Sequence, residues 1–166
     1  DFKSGGTIGK PVRALSDGYI SRIRVTNGFG YVLDVCYHNG YSTINRHLNG
    51  FLSPIAERVE NLQYEKENWE VDIVPEPEEY PVKAGQPIAL SGNTGYSYGP
   101  HLHLDVFETE TGDYIDPMPF FKNKMKDTRP PKADGIMFFP QAGKGVVSGG
   151  QKPVTILPNS TRCVEA

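Results

Sequence analysis

Four histidines occur in 166 residues, and the spacing of two of them suits chemistry. His101 and His103 flank Leu102 in a run that reads as a strand from His101 to Glu108. On a strand, residues i and i+2 leave the same face, about 6.5 to 7 Å apart. Leu102, Leu104 and Val106 fall on the other face, where they would anchor the strand to a core. Two imidazoles on one polar face can share a metal, or one can bind it while its neighbour handles protons. Alone, a His-x-His pair reads equally well as hydrogen-bonded surface histidines. The segment before it, Ser91 to Pro100, sets three glycines ahead of the pair, so the backbone can pass close to a ligand. Tyr96 and Tyr98 in that segment are candidates to line a substrate groove.

The elements that must hold these residues are short strands. Eighteen glycines and 14 prolines in 166 residues are about one residue in five, against roughly one in eight in average usage. That excludes a helix bundle or coiled coil. Alternating runs predict strands at Pro11 to Leu15, Tyr19 to Thr26, Tyr31 to His38 and Gln86 to Ser91. Asn39-Gly40 predicts a two-residue hairpin turn. Counting outward from it sets Cys36 opposite Thr43, Asp34 opposite Asn45 and Val32 opposite His47, on one unusually polar face. A site belongs there, with Asn45 a candidate for substrate contact and Asp34 diagonal to His47.

Residues 49–81 break the strand rhythm. Pro54 can start a helix, and Ile55, Val59 and Leu62 fall at helical spacing, so a partly helical insertion over one sheet edge is expected. Residues 122–134, basic and proline-punctuated, read as a linker. Residues 135–166 carry short strand-like runs, too few to stand alone, and read as a docked β tail or the start of a truncated second β domain. A net charge of −3 makes a nucleic-acid or anionic-membrane partner unexpected. No run approaches the roughly 20 apolar residues of a membrane span. Two cysteines, Cys36 and Cys163, exclude a disulfide scaffold and a Cys-rich zinc site.

In this order, several segments form a pattern: Gly9-Lys10-Pro11-Val12-Arg13-Ala14, Asp17-Gly18, His38-Asn39-Gly40-Tyr41-Ser42-Thr43, His47-Leu48, Val82-Lys83-Ala84-Gly85-Gln86-Pro87-Ile88, Ser91-Gly92-Asn93-Thr94-Gly95 and Gly99-Pro100-His101-Leu102-His103. Across residues 1–121 the chain resembles the lysostaphin/LytM-type zinc endopeptidases, which cut peptide crosslinks in bacterial cell walls. The resemblance implies a mainly β fold, an antiparallel sheet forming a groove. It also implies a Zn²⁺ site built from a His-x-x-x-Asp motif and the second His of His-x-His. Asp1 matches the Asp and His103 the last ligand, while the first His would precede the sequence. His47 and His101 match the family's two non-ligand histidines, which handle protons and stabilise the developing oxyanion. Asn45 departs from the pattern, which usually has Tyr there.

The expected function is therefore zinc-dependent hydrolysis of peptidoglycan stem or bridge peptides by a metal-activated water, outside the cytoplasm, in the periplasm or at the cell surface. The alternative is an inactive domain of the same type that binds and activates cell-wall amidases. A swinging-arm carrier domain is disfavoured, because Asn93-Thr94 stands where its lysine would be needed.

Overall fold

The computed structural model describes residues 1–121 together with the strands at 136–138 and 154–156. The chain divides into two compact units, Asp1–Phe121 and Lys122–Ala166. The first contains β1 (Phe2–Lys3), β2 (Pro11–Arg13), β3 (Gly18–Thr26), β4 (Gly30–Tyr37), β5 (Tyr41–Phe51), α1 (Ile55–Glu65), β6 (Val71–Ile73), β7 (Pro81–Val82), β8 (Pro87–Ser91), β9 (His101–Glu108), β10 (Tyr114–Ile115) and the short helix α2 (Met118–Phe121). In the second, β11 (Ile136–Phe138) pairs antiparallel with β12 (Val154–Ile156). The expected linker 122–134, the run Gly145-Val146-Val147 and Cys163 lie outside the described residues.

The first unit is an antiparallel sheet in the order β1-β9-β5-β4-β3-β6, with β10 beside β9, β7 beside β3, and β8 bridging β2 and β5. Alternation explains its two faces. Ile23, Val25, Leu33, Val35, Tyr37, Leu48 and Ile88 are buried in one cluster, joined by Ile55 and Val59 from α1. Each such aliphatic side chain contributes about 1.5–3 kcal/mol on burial. The opposite face of the central strands carries Arg22, Arg24, Asp34, Arg46, His103 and Asp105, whose partners across the strands are Arg22↔Asp34 and Arg46↔His103. The 49–81 insertion does contain a helix, and its second half adds an edge strand, because β6 pairs with β3 through Val25↔Val71.

The β4–β5 register differs from the expected one. Cys36 stands opposite Ser42, Asp34 opposite Ile44 and Leu33 opposite Asn45. The turn uses three residues, His38-Asn39-Gly40, with Gly40 at φ +86° and its N–H donated to the Tyr37 carbonyl. Three-residue hairpins place a left-handed residue last, and Gly40 fills that position where the two-residue reading made it second of a pair. A one-residue slip moves each side chain to the other face. Asn45 therefore lies on the core side.

Candidate active site

The pairing of β1 with β9 sets the first contact. Lys3 is opposite His101 and Phe2 opposite Leu102, which carries Asp1 to His103. Asp1 Oδ1 lies 2.8 Å from His103 Nδ1 and 3.8 Å from His101 Nε2. One donor atom from each of Asp1, His101 and His103 lies within 4.8 Å of the others. The His47 ring is 5.0 Å from that of His101 and 6.0 Å from that of His103, centroid to centroid. Four groups spread between residues 1 and 103 thus gather at one place. Two imidazoles and a carboxylate are a donor set that suits a borderline-soft divalent ion such as zinc.

His47 reaches this place through a bulge. Between the pairs Tyr31↔Leu48 and Leu33↔Asn45, Arg46 and His47 both stand opposite Val32, and His47 takes φ +58°. A left-handed non-glycine residue is costly and persists where the surroundings over-determine it, often at functional sites. Here the surroundings are the Phe29 carbonyl, which accepts the His47 N–H at 3.1 Å, and the glycine-rich loop, whose Thr94 carbonyl lies 2.8 Å from His47 Nδ1. A carbonyl can only accept, so Nδ1 carries the proton and Nε2 keeps its lone pair. His101 repeats the device, with Nδ1 2.8 Å from the Gly99 carbonyl. Burial lowers the His47 pKa, as do the charges of His101, His103 and Arg46, and the Thr94 carbonyl opposes the shift only in part. His47 is 8% exposed, and the lowered pKa favours its neutral form.

The loop can come this close because of two glycines. A Cβ on Gly95, at φ +73°, would lie 2.5 to 2.7 Å from backbone atoms of residues 28–30. A Cβ on Gly30 would strike Thr94. The Thr94 hydroxyl accepts the Tyr31 N–H and donates to the Leu48 carbonyl, tying the loop to β4 and β5.

The chain is 34% identical over 122 residues to the glycyl-glycine endopeptidase ALE-1 of Staphylococcus capitis, covering 70% of this chain and 27% of ALE-1. It is 31% identical to the solved catalytic domain of lysostaphin from Staphylococcus simulans, over 74% of this chain and 75% of that one, with a TM-score of 0.49. The chain belongs to the lysostaphin/LytM-type family. The structure of whole lysostaphin shares its fold at a TM-score of 0.52 and 28% identity, over 86% of this chain and 52% of lysostaphin. No family model matches the chain. It spans about a quarter of the length of ALE-1.

Within this LytM-type sheet, not every anticipated residue reaches the histidine cluster. Asn45 is 3% exposed, and its Nδ2 donates to the Leu33 carbonyl at 3.1 Å. It is a core residue, and the expectation that it contacts substrate is corrected by the register. Asp34 is bonded through both carboxylate oxygens to Arg24, at 2.6 and 2.7 Å, and no hydrogen bond joins it to His47. Burial pushes its carboxyl up against the opposing pull of Arg24. Tyr96 is 85% exposed and Tyr98 fully exposed on the loop after Gly95, free to meet a substrate. Cys36 is half-buried and unpaired among the described residues.

Two residues beside the site escaped the sequence reading. Arg46 packs its guanidinium over the Phe29 ring at 4.6 Å, and Asp105 lies 3.2 Å from His103 Nε2. The period-two spacing of His103 and Asp105 was the available signal for the second. Nothing in the sequence marked Arg46, whose approach to His103 depends on the β5–β9 register.

Proposed function

We propose that the protein is a zinc metallo-endopeptidase that hydrolyses peptide bonds in bacterial peptidoglycan. The convergence of Asp1, His47, His101 and His103 is the observation that carries this reading, supported by the family. Asp1 and His103 would hold the ion. When bound, zinc supplies Lewis acidity toward the scissile carbonyl and toward an attacking water. His47 is the residue built to accept the proton that such a water sheds, because its Thr94 partner fixes the proton on Nδ1 and leaves Nε2 basic. His101, held by the Gly99 carbonyl, has its Nε2 3.8 Å from Asp1 Oδ1, where it can receive a proton or donate one toward the developing oxyanion. Tyr96 and Tyr98 offer exposed rings against which a peptide can lie.

Hydrolysis of wall peptides implies action outside the cytoplasm. Among the described residues no helix is long and apolar enough to cross a membrane. The test is release of free amines from purified peptidoglycan by the full-length protein, with and without a zinc chelator. Chelator-sensitive release that is lost in His47→Ala and His101→Ala supports the proposal. A folded, zinc-loaded protein that releases no amines, yet stimulates a wall amidase, would replace it with the regulatory alternative.

A further inference from the structure

We propose that Asp105, paired with Arg46, is a positioning residue for His103 whose carboxylate sets the ring orientation and tautomer in which His103 offers Nδ1 to a metal. The inference rests on the metal reading above and extends it to two residues outside the expected site.

The argument begins with strand geometry. His103 and Asp105 leave the same face of β9, two residues apart, and Arg46 of β5 stands directly opposite His103. The three side chains therefore meet. Asp105 Oδ1 is 3.2 Å from His103 Nε2, and Asp105 Oδ2 is 3.0 Å from Arg46 Nη1. Both members of the ion pair are largely buried, with side chains 17% and 20% exposed. Asp105 Oδ2 is buried with no hydrogen bond satisfying it, so this carboxylate retains acceptor capacity.

The two ring nitrogens of His103 face opposite partners. Nδ1 faces Asp1 at 2.8 Å, whereas Nε2 faces Asp105 and also lies 3.3 Å from Arg46 Nη1. A neutral imidazole has a single N–H. If it sits on Nδ1, Asp1 accepts it, Arg46 donates to Nε2, and no lone pair faces the Asp1 side. If it sits on Nε2, Asp105 accepts it and Nδ1 is free to coordinate. Arg46 only donates, so a ring engaged at Nδ1 has Asp105 as the acceptor within reach. A carboxylate behind a ligating histidine sets tautomer and orientation, and losing it typically weakens metal binding about 10–100-fold.

The experiment uses the full-length protein and reads zinc affinity by competition with a chromophoric chelator, and the His103 ring nitrogens by NMR. Asp105→Ala is expected to weaken zinc binding by about 10–100-fold. Asp105→Asn, whose amide oxygen can still accept from Nε2, should recover most of that loss. In zinc-loaded wild type, His103 should carry its proton on Nε2, protected from solvent exchange. Wild-type affinity in a folded Asp105→Ala protein, or a zinc-loaded His103 ring protonated on Nδ1, overturns the proposal while leaving the site intact. Should Asp105→Ala fail to fold, the wild-type ring measurement decides alone. Zinc binding that survives His103→Ala overturns the underlying metal reading instead.

Discussion

Gly95 links the glycine-rich loop to the chemistry of His47, and its replacement by alanine has a calculable cost. At φ +73° an L-residue incurs about 1–2 kcal/mol of steric strain. The new Cβ would also lie 2.5 Å from Gly30 N, 2.6 Å from the Gly28 oxygen and 2.7 Å from the Phe29 carbonyl carbon. Ordinary contact is about 3.5–4.0 Å, so the loop must lift by roughly 1 Å. Overpacking of this kind adds about 1–3 kcal/mol. Together the loss of stability is about 2–5 kcal/mol, or a Tm drop of at least about 6 °C for a unit of this size. Lifting the loop also withdraws the Thr94 carbonyl from His47 Nδ1, and misplacement on that scale can cost about 100-fold in turnover. Gly112→Ala is the control. It has φ +75° but open space around its Cβ, so it shows the dihedral cost alone and keeps full activity. Thermal melts and amine release on both variants test this. Equal Tm and equal turnover in the two would refute the coupling of loop packing to His47.

Three further outcomes follow from the same geometry. The His47 pKa is lowered by burial first and by neighbouring positive charge second, so below about pH 6.5 the unfolded chain binds a proton that the folded site resists. Stability should therefore fall as pH drops from that value toward the lowered folded pKa, and be unaffected by this group above it; a melt series on His47→Gln parallel to wild type between pH 7.5 and 5 would contradict this. Asp34→Asn should lower stability by about 1.5–3 kcal/mol through the weakened bond to Arg24 yet leave kcat unchanged, and a large loss of turnover in a stable variant would restore a role beside His47. Replacing Tyr96 and Tyr98 by alanine should change stability by less than about 0.5 kcal/mol, since both are exposed, while raising KM; an unchanged KM removes them from the groove.

Much of this was legible in the residue order because the strands alternate cleanly. Tyr31 to Tyr37 shows its buried face directly, and His101 to Glu108 coincides with β9. The helix after Pro54 buries Ile55 and Val59, as its spacing implies. What misled the reading were irregularities with no alternation signal. The bulge between Ile20 and Arg22 returns Ile20 and Ile23 to one core, although strict period-two counting separates them. The three-residue turn at His38-Asn39-Gly40 flips Asn45 inward. The second bulge, at Arg46 and His47, partly offsets the slip for His47, so the histidine reaches the site although the count that led to it was wrong. Local composition encodes strands well, whereas register depends on backbone conformations that a glycine or asparagine only permits. The Arg46–Asp105–His103 contact is of that second kind.

The central claim is that Asp1 and His103 converge on a single zinc ion beside His47 and His101. Crystals of the full-length protein, measured on both sides of the zinc absorption edge, test it most directly. The account predicts one strong anomalous peak within about 2.0–2.2 Å of an Asp1 oxygen and of His103 Nδ1. A fully loaded protein whose zinc peak lies elsewhere, beyond reach of both residues, would contradict it.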